Sequence, residues 1–152
     1  MATIYPQAEQ LIASHGWMLQ YVFPTQESEG PSFAYTIGLA DQGLPELIVF
    51  ALPQEIAHIA VSALINKLRE VKNGGAPVLG KTDINFNFPV YVREVTAKDV
   101  ADYAVQALRR SDGQAKFLQV CITDRHGLFP WEPGFSGDPK MYPVLGEGPN
   151  YN

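Results

Sequence analysis

The stretch SFAYTIGLAD, residues 32–41, decides how this chain is read. In an extended strand, successive side chains point to opposite faces. Phe33, Tyr35, Ile37 and Leu39 then share one face, and Ala34, Thr36 and Gly38 share the other. A face made only of small residues implies that something approaches it closely: a helix, another strand or a ligand. Periodicity identifies the thin face but not its cover. A helix or the Pro/Gly-rich tail is the expected cover, and a ligand is the alternative.

The neighbouring segments give the architecture. WMLQYVFP (17–24) alternates as a strand with Trp17, Leu19, Tyr21 and Phe23 on one side. The polar TQESEGPS (25–32) turns it back into FAYTIGL, which makes a hairpin. Ahead of it, residues 5–15 form a short helix, with Pro6 in the first turn and Gly16 as the stop. ELIVFAL (46–52) is apolar on both faces and reads as a central strand. Pro53 opens the longest helix, about 53–73, with Ile56, Ala60, Ala63, Leu64, Leu68 and Val71 as its buried stripe and NGG as its end. DINFNFPVYVREV (83–95) alternates about Pro89, which suits an edge or a bulge. TAKDVADYAVQALRR (96–110) begins with the capping pair Thr96 and Asp99 and continues as a helix. AKFLQVCITD (115–124) is a further strand, and the chain from 125 is too rich in Pro and Gly for regular structure. The expectation is one α+β domain over 1–152. It has a mostly antiparallel sheet of about five strands, two or three helices on one face, and an irregular aromatic C-terminal tail.

Composition narrows the function. The net charge is −5 and no Lys/Arg cluster exists, which argues against nucleic acid as a partner. No apolar run reaches membrane-spanning length, and MATIYPQAEQ lacks the basic start and apolar core of a leader. The single cysteine, Cys121, forbids an intrachain disulfide and agrees with a reducing, cytoplasmic setting.

Several patterns carry chemistry. Gly75 to Thr82 fits the phosphate-cradling pattern G-x-x-x-x-G-K-T, but the mechanism needs a strand before it and a helix after it. Here a helix end precedes and an alternating strand follows, so nucleotide binding through GAPVLGKT is disfavoured. His15, His58 and His126 form no metal-binding spacing, so neither a metal nor another cofactor is expected. Cys121 lies mid-strand as an inert thiol. Asp124 with His126 is the catalytic candidate pair, and Asp124-Arg125-His126-Gly127 equally fits a turn leaving a strand. Strand 115–124 places Gln119 beside Phe117, Cys121 and Thr123. With Thr36 and Tyr35 from FAYTIGL, Gln119 suggests the floor of a small-ligand site that Trp131 of the aromatic tail would close.

HGW (15–17), FAYTIGL (33–39), PELIVFAL (45–52) and LQVCITDRHGLFPWEPGF (118–135) together resemble the bacterial family called domain of unknown function 4262. The resemblance runs from about residue 9 to 145, with YPVL (142–145) similar to its closing motif. Where that family often has Trp before the Thr-Asp or Pro-Asp of the LQV strand, this chain has Ile122. The resemblance implies no activity, cofactor or catalytic residue.

The leading expectation is therefore a non-catalytic domain that binds a small molecule or a protein partner. The alternative is a small hydrolase-like enzyme using Asp124 and His126. A homodimer through a free strand edge is a further alternative.

Overall fold

The computed structural model describes residues 4–24, 30–72, 74 and 78–146. Pro6–His15 forms α1, which ends where Gly16 turns left-handed (φ 87°) and its N–H donates to the Ile12 carbonyl. Met18–Val22 (β1) and Phe33–Ile37 (β2) form the expected hairpin, of whose turn residues 25–29 lie outside the described chain. A 3₁₀ helix, Leu39–Gln42, leads into β3, Glu46–Phe50. Then come α2 (Gln54–Lys72), β4 (Gly80–Thr82), β5 (Val90–Val95), α3 (Val105–Arg110) and β6 (Phe117–Cys121).

The fold is α+β, with a mixed six-stranded sheet in the order β1-β2-β3-β6-β5-β4. Four strand pairs are antiparallel, but β3 and β6 run parallel, with Ile48 opposite Gln119. Parallel neighbours need a long crossover and covered faces. The chain between Phe50 and Phe117 supplies both, and β3 and β6 are buried along their whole length.

Helices pack on both faces, not one. Ala57, Ala60, Val61, Leu64, Ile65 and Leu68 of α2 bury against Ala34, Leu47, Val49, Val90, Val92, Leu118 and Val120. On the other face, Ala8 and Ile12 of α1 and Ala107 of α3 join Tyr35, Ile37, Ile48, Phe50, Phe117 and Val95. Arg110 draws that second layer together, its Nε 3.1 Å from Glu9 and its Nη2 2.8 Å from Asp41.

Three local expectations change, and a fourth segment keeps its reading. Ile56 is not in the buried stripe of α2: it is exposed, and Ala57, Val61 and Ile65 take the inward positions. Thr96 and Asp99 do form the reciprocal cap, at 2.9 and 3.1 Å, yet the segment after them runs as turns and α3 begins only at Val105. The strand about Pro89 starts at Val90, so the proline breaks no ladder bond. Finally, Gly80–Thr82 is an edge strand paired with β5, and the chain beyond Thr82 enters no helix. A phosphate cradle needs that helix N-terminus, and residues 75–77 of the pattern lie outside the described chain.

The thin face of β2 now has its cover, and each small residue is small for its own reason. Ala34 meets the α2 layer. Thr36 is fully buried because its hydroxyl donates to Glu46 Oε1 (2.8 Å) and accepts the Leu47 N–H (2.8 Å). Gly38 adopts φ 111°, and a Cβ there would stand 2.9 Å from Ile12 Cγ2 and 3.1 Å from the Gly16 carbonyl oxygen.

Candidate functional site

Strand register sorts the expected site residues. Tyr35 pairs with Ile48, and Ile48 with Gln119, so their side chains share one face. Thr36 lies one residue along from Tyr35 and therefore on the other face, under α2. Thr36 and Gln119 cannot form one floor.

Tyr35 is a strut. Its hydroxyl accepts the Gln106 N–H at 3.2 Å at the start of α3, and burial pushes the phenol above its ordinary value. Trp131 stacks on Phe129 with ring centres 5.0 Å apart and meets Tyr91 edge-on at 5.0 Å, closing the tail over β5. Gln119 is taken by the chain itself. Its Nε2 donates to the Pro143 carbonyl (2.7 Å), and its Oε1 accepts the Leu145 N–H (2.9 Å) and Arg93 Nη1 (2.9 Å). The space left beside it, between Phe50, Cys121 and Pro143, is about 10 Å³, room for about one water molecule and far too small for a ligand. Cys121 lies in that wall, and burial pushes its thiol up to about 12, so it is not a nucleophile.

Asp124 is likewise saturated. Oδ1 accepts the N–H groups of His126 and Leu128, both at 2.9 Å, and Oδ2 accepts the Ser136 N–H (2.9 Å) and hydroxyl (3.0 Å). This staples the turn after β6 to the tail. His126 offers Asp124 its backbone, while its exposed ring accepts from Arg125 Nε at 3.4 Å. The turn alternative thus describes the local geometry, and the acid–base pair is not assembled. Burial tends to raise the Asp124 carboxyl, but the donors from Ser136, Leu128 and His126 outweigh it and hold the group well below its ordinary 3.8. A depressed carboxyl contributes stability that is present above the unfolded value and lost as pH falls through the folded one. Acid titration of the melting temperature is therefore expected to show a decline beginning near pH 4 that is shallower in Asp124→Asn, and equal slopes in both proteins would contradict the staple.

The open concavity lies elsewhere, at the carboxyl ends of the parallel pair. A cleft of about 630 Å³ is bounded by Leu52 after β3, Ile56 and Ile59 on α2, Asn85–Val90 before β5, and Ile122–Arg125 after β6. Its apolar lining faces solvent: Ile59 is 57% exposed, Ile56 41% and Phe88 37%. Asn85, Asn87 and Thr123 supply amides and a hydroxyl among these side chains. Asp124 and Arg125 bring one negative and one positive charge to the same rim, the carboxylate held on its turn donors and the guanidinium exposed beside His126. Two non-glycine residues adjoin the cleft in left-handed conformation, Ala51 (φ 66°) and Asn85 (φ 65°). Such conformations persist where the surrounding structure enforces them, and they gather at functional sites. A second, larger groove, about 820 Å³, lies at the amino ends of β3 and β6, where Leu44, Ala115 and Phe117 meet the polar side chains of Glu94, Thr96, Gln114 and Lys116. Among the described residues no three His, Cys, Asp or Glu side chains are grouped to hold a metal ion.

The cleft, the Asp124 staple and the thin strand all lie within one matched segment: residues 11–136 fit the family model described as Domain of unknown function (DUF4262). The chain belongs to this family. No curated protein matches it and no solved structure matches it. None of the described helices of this DUF4262 chain is long and apolar enough to cross a membrane.

Sequence reasoning about the DUF4262 chain missed Ile56, Ile59, Asn85 and Phe88. One signal was present. The α2 segment carries more apolar residues than one stripe can bury, and Ile56 and Ile59 stand three apart on a surplus face. Ile122, the residue that stands where the resemblance expects Trp, lines this cleft.

Proposed function

We propose that this chain is a non-catalytic, cytoplasmic binding domain that takes a small neutral molecule in the cleft between α2 and the segments flanking β5 and β6. The observation that carries this reading is the joint exposure of Ile56, Ile59 and Phe88 around a concavity of about 630 Å³. That volume suits a small molecule, as does an apolar wall with a few polar groups. In open sheets of α/β type, ligands bind beyond the carboxyl ends of parallel strands, and the cleft lies there for β3 and β6. Asp124 and Arg125 balance in charge, which favours a neutral ligand: an apolar body against the isoleucines and Phe88, and an amide or hydroxyl edge toward Asn85 and Asn87. A concave wall favours a small molecule over a protein surface. The saturated Asp124 lends no support to hydrolysis.

The test is a ligand-detected magnetic resonance screen of neutral aromatic amides against wild type and Ile59→Glu. Wild type is expected to bind members of the set, and the variant to bind them roughly tenfold or more weakly, with a melting temperature within about 2 °C because the site is surface. Equal binding by both proteins, or no binder for wild type, would overturn the reading.

A further inference from the structure

The Gln119 amide treats the tail as a neighbouring strand would. By donating to the Pro143 carbonyl and accepting the Leu145 N–H, it brackets Val144 in the way one residue of a parallel strand brackets a residue of its partner. Arg93 Nη1 extends the ladder to the Leu145 carbonyl at 2.6 Å. Recognition is almost entirely of backbone, and among the described tail residues Leu145 is the side chain that enters the core beside α1 and α3. The strap of residues 142–146 follows a surface turn after Ser136, in which the Met141 N–H donates to the Asp138 carbonyl and the Tyr142 ring meets Phe135 edge-on at 5.3 Å; residues 138–141 of this turn are exposed and include Pro139. What lies past that turn is an irregular segment on a short surface connection, seated where Gln119 and Arg93 read its main chain.

The same segment of another copy presents identical chemistry to the same groove. We propose that residues 142–146 are an exchangeable strap, and that two copies pair by each laying its strap on the other's Gln119–Arg93 clamp. Exchange of an identical element reproduces the strap's hydrogen bonds to Gln119 and Arg93 and opens only the 138–142 turn, with its backbone bonds from Met141 and Tyr142 and the Phe135–Tyr142 ring contact, so it is an accessible route to a symmetric dimer. The inference is independent of the cleft, which the strap does not line.

The test uses complementation in the full chain. Light scattering of wild type across a roughly hundredfold concentration range is expected to show growing dimer. Gln119→Met removes the clamp and keeps the strap, and Leu145→Ala weakens the strap and keeps the clamp. Each alone is expected to stay monomeric, and an equimolar mixture to form heterodimer, since one strap and one clamp remain compatible. Wild type that stays monomeric throughout, or variants that dimerise alone as well as wild type, would overturn the proposal. Should either variant fail to fold, deletion of Pro139 and Lys140 from the otherwise intact chain serves instead. A shortened linker disfavours the closed form, and dimerisation is expected to tighten roughly tenfold or more. An unchanged monomer there would also overturn it.

Discussion

Replacing Glu46 with alanine is expected to destabilise the protein by about 4 kcal/mol or more, because each buried donor left without a partner costs roughly 1–3 kcal/mol. The carboxylate is 2% exposed and serves four donors: the Thr36 hydroxyl at 2.8 Å and the N–H groups of Gly38, Leu39 and Ala40, each at 3.1 Å. Those N–H groups open the 3₁₀ helix after β2, where no earlier turn of helix offers them carbonyls. Burial pushes the Glu46 carboxyl above its ordinary range, although Thr36 and the three N–H groups pull the other way. For a chain of this size the loss corresponds to a fall in melting temperature of roughly 10 °C or more. Glu46→Gln keeps the shape but turns an amide N–H₂ toward backbone donors, so it is expected to recover only about half of the loss. A Glu46→Ala protein that melts within about 2 °C of wild type would show that water or a shifted loop satisfies these donors.

Gly38→Ala is expected to cost about 2–4 kcal/mol, from two separable sources: a left-handed conformation denied to the new residue and an overfilled contact. Gly38 sits at φ 111°, and its added Cβ would come within 2.9 Å of Ile12 and 3.1 Å of the Gly16 carbonyl oxygen. Ile12 is a side chain and can give; the carbonyl is backbone at the cap of α1 and gives less. A double-mutant cycle with Ile12→Ala separates the sources. It is expected to recover about 1 kcal/mol of coupling, the steric share, and to leave the conformational share untouched. Additive effects in denaturant unfolding would mean that the contact is relieved without strain.

These two residues show what the sequence made legible. FAYTIGL alternates in a way that identifies the thin face, and no periodicity could reveal that Thr36 is thin to reach Glu46 while Gly38 is thin to admit α1. Glu46 opens the apolar run ELIVFAL, and nothing local marks it as a buried acceptor, since its donors come from a turn six to ten residues earlier. The parallel pairing of β3 and β6 leaves a weak trace: both strands are buried on both faces, the condition such pairs need, but antiparallel central strands read the same way. Gln119 did stand out as an amide on an apolar strand. Its partner was a tail segment 24–26 residues away, which composition alone could only describe as irregular. The cleft was the least legible feature. It joins the ends of three strands and one turn of α2, and only surplus isoleucines on a helix point to it.

The central claim concerns that cleft, and isoleucine side chains are distributed to report on it. Ile56, Ile59 and Ile122 line it, whereas Ile12, Ile37 and Ile48 pack on the far side of the sheet and Ile65 of α2 is buried against the sheet. The decisive measurement is the isoleucine δ1-methyl spectrum titrated with a neutral aromatic amide such as indole-3-acetamide. The account predicts saturable shifts at Ile56, Ile59 and Ile122, with Ile12, Ile37 and Ile48 unmoved. Shifts centred on Ile12, Ile37 and Ile48, or a spectrum unchanged at saturating amide, would contradict it.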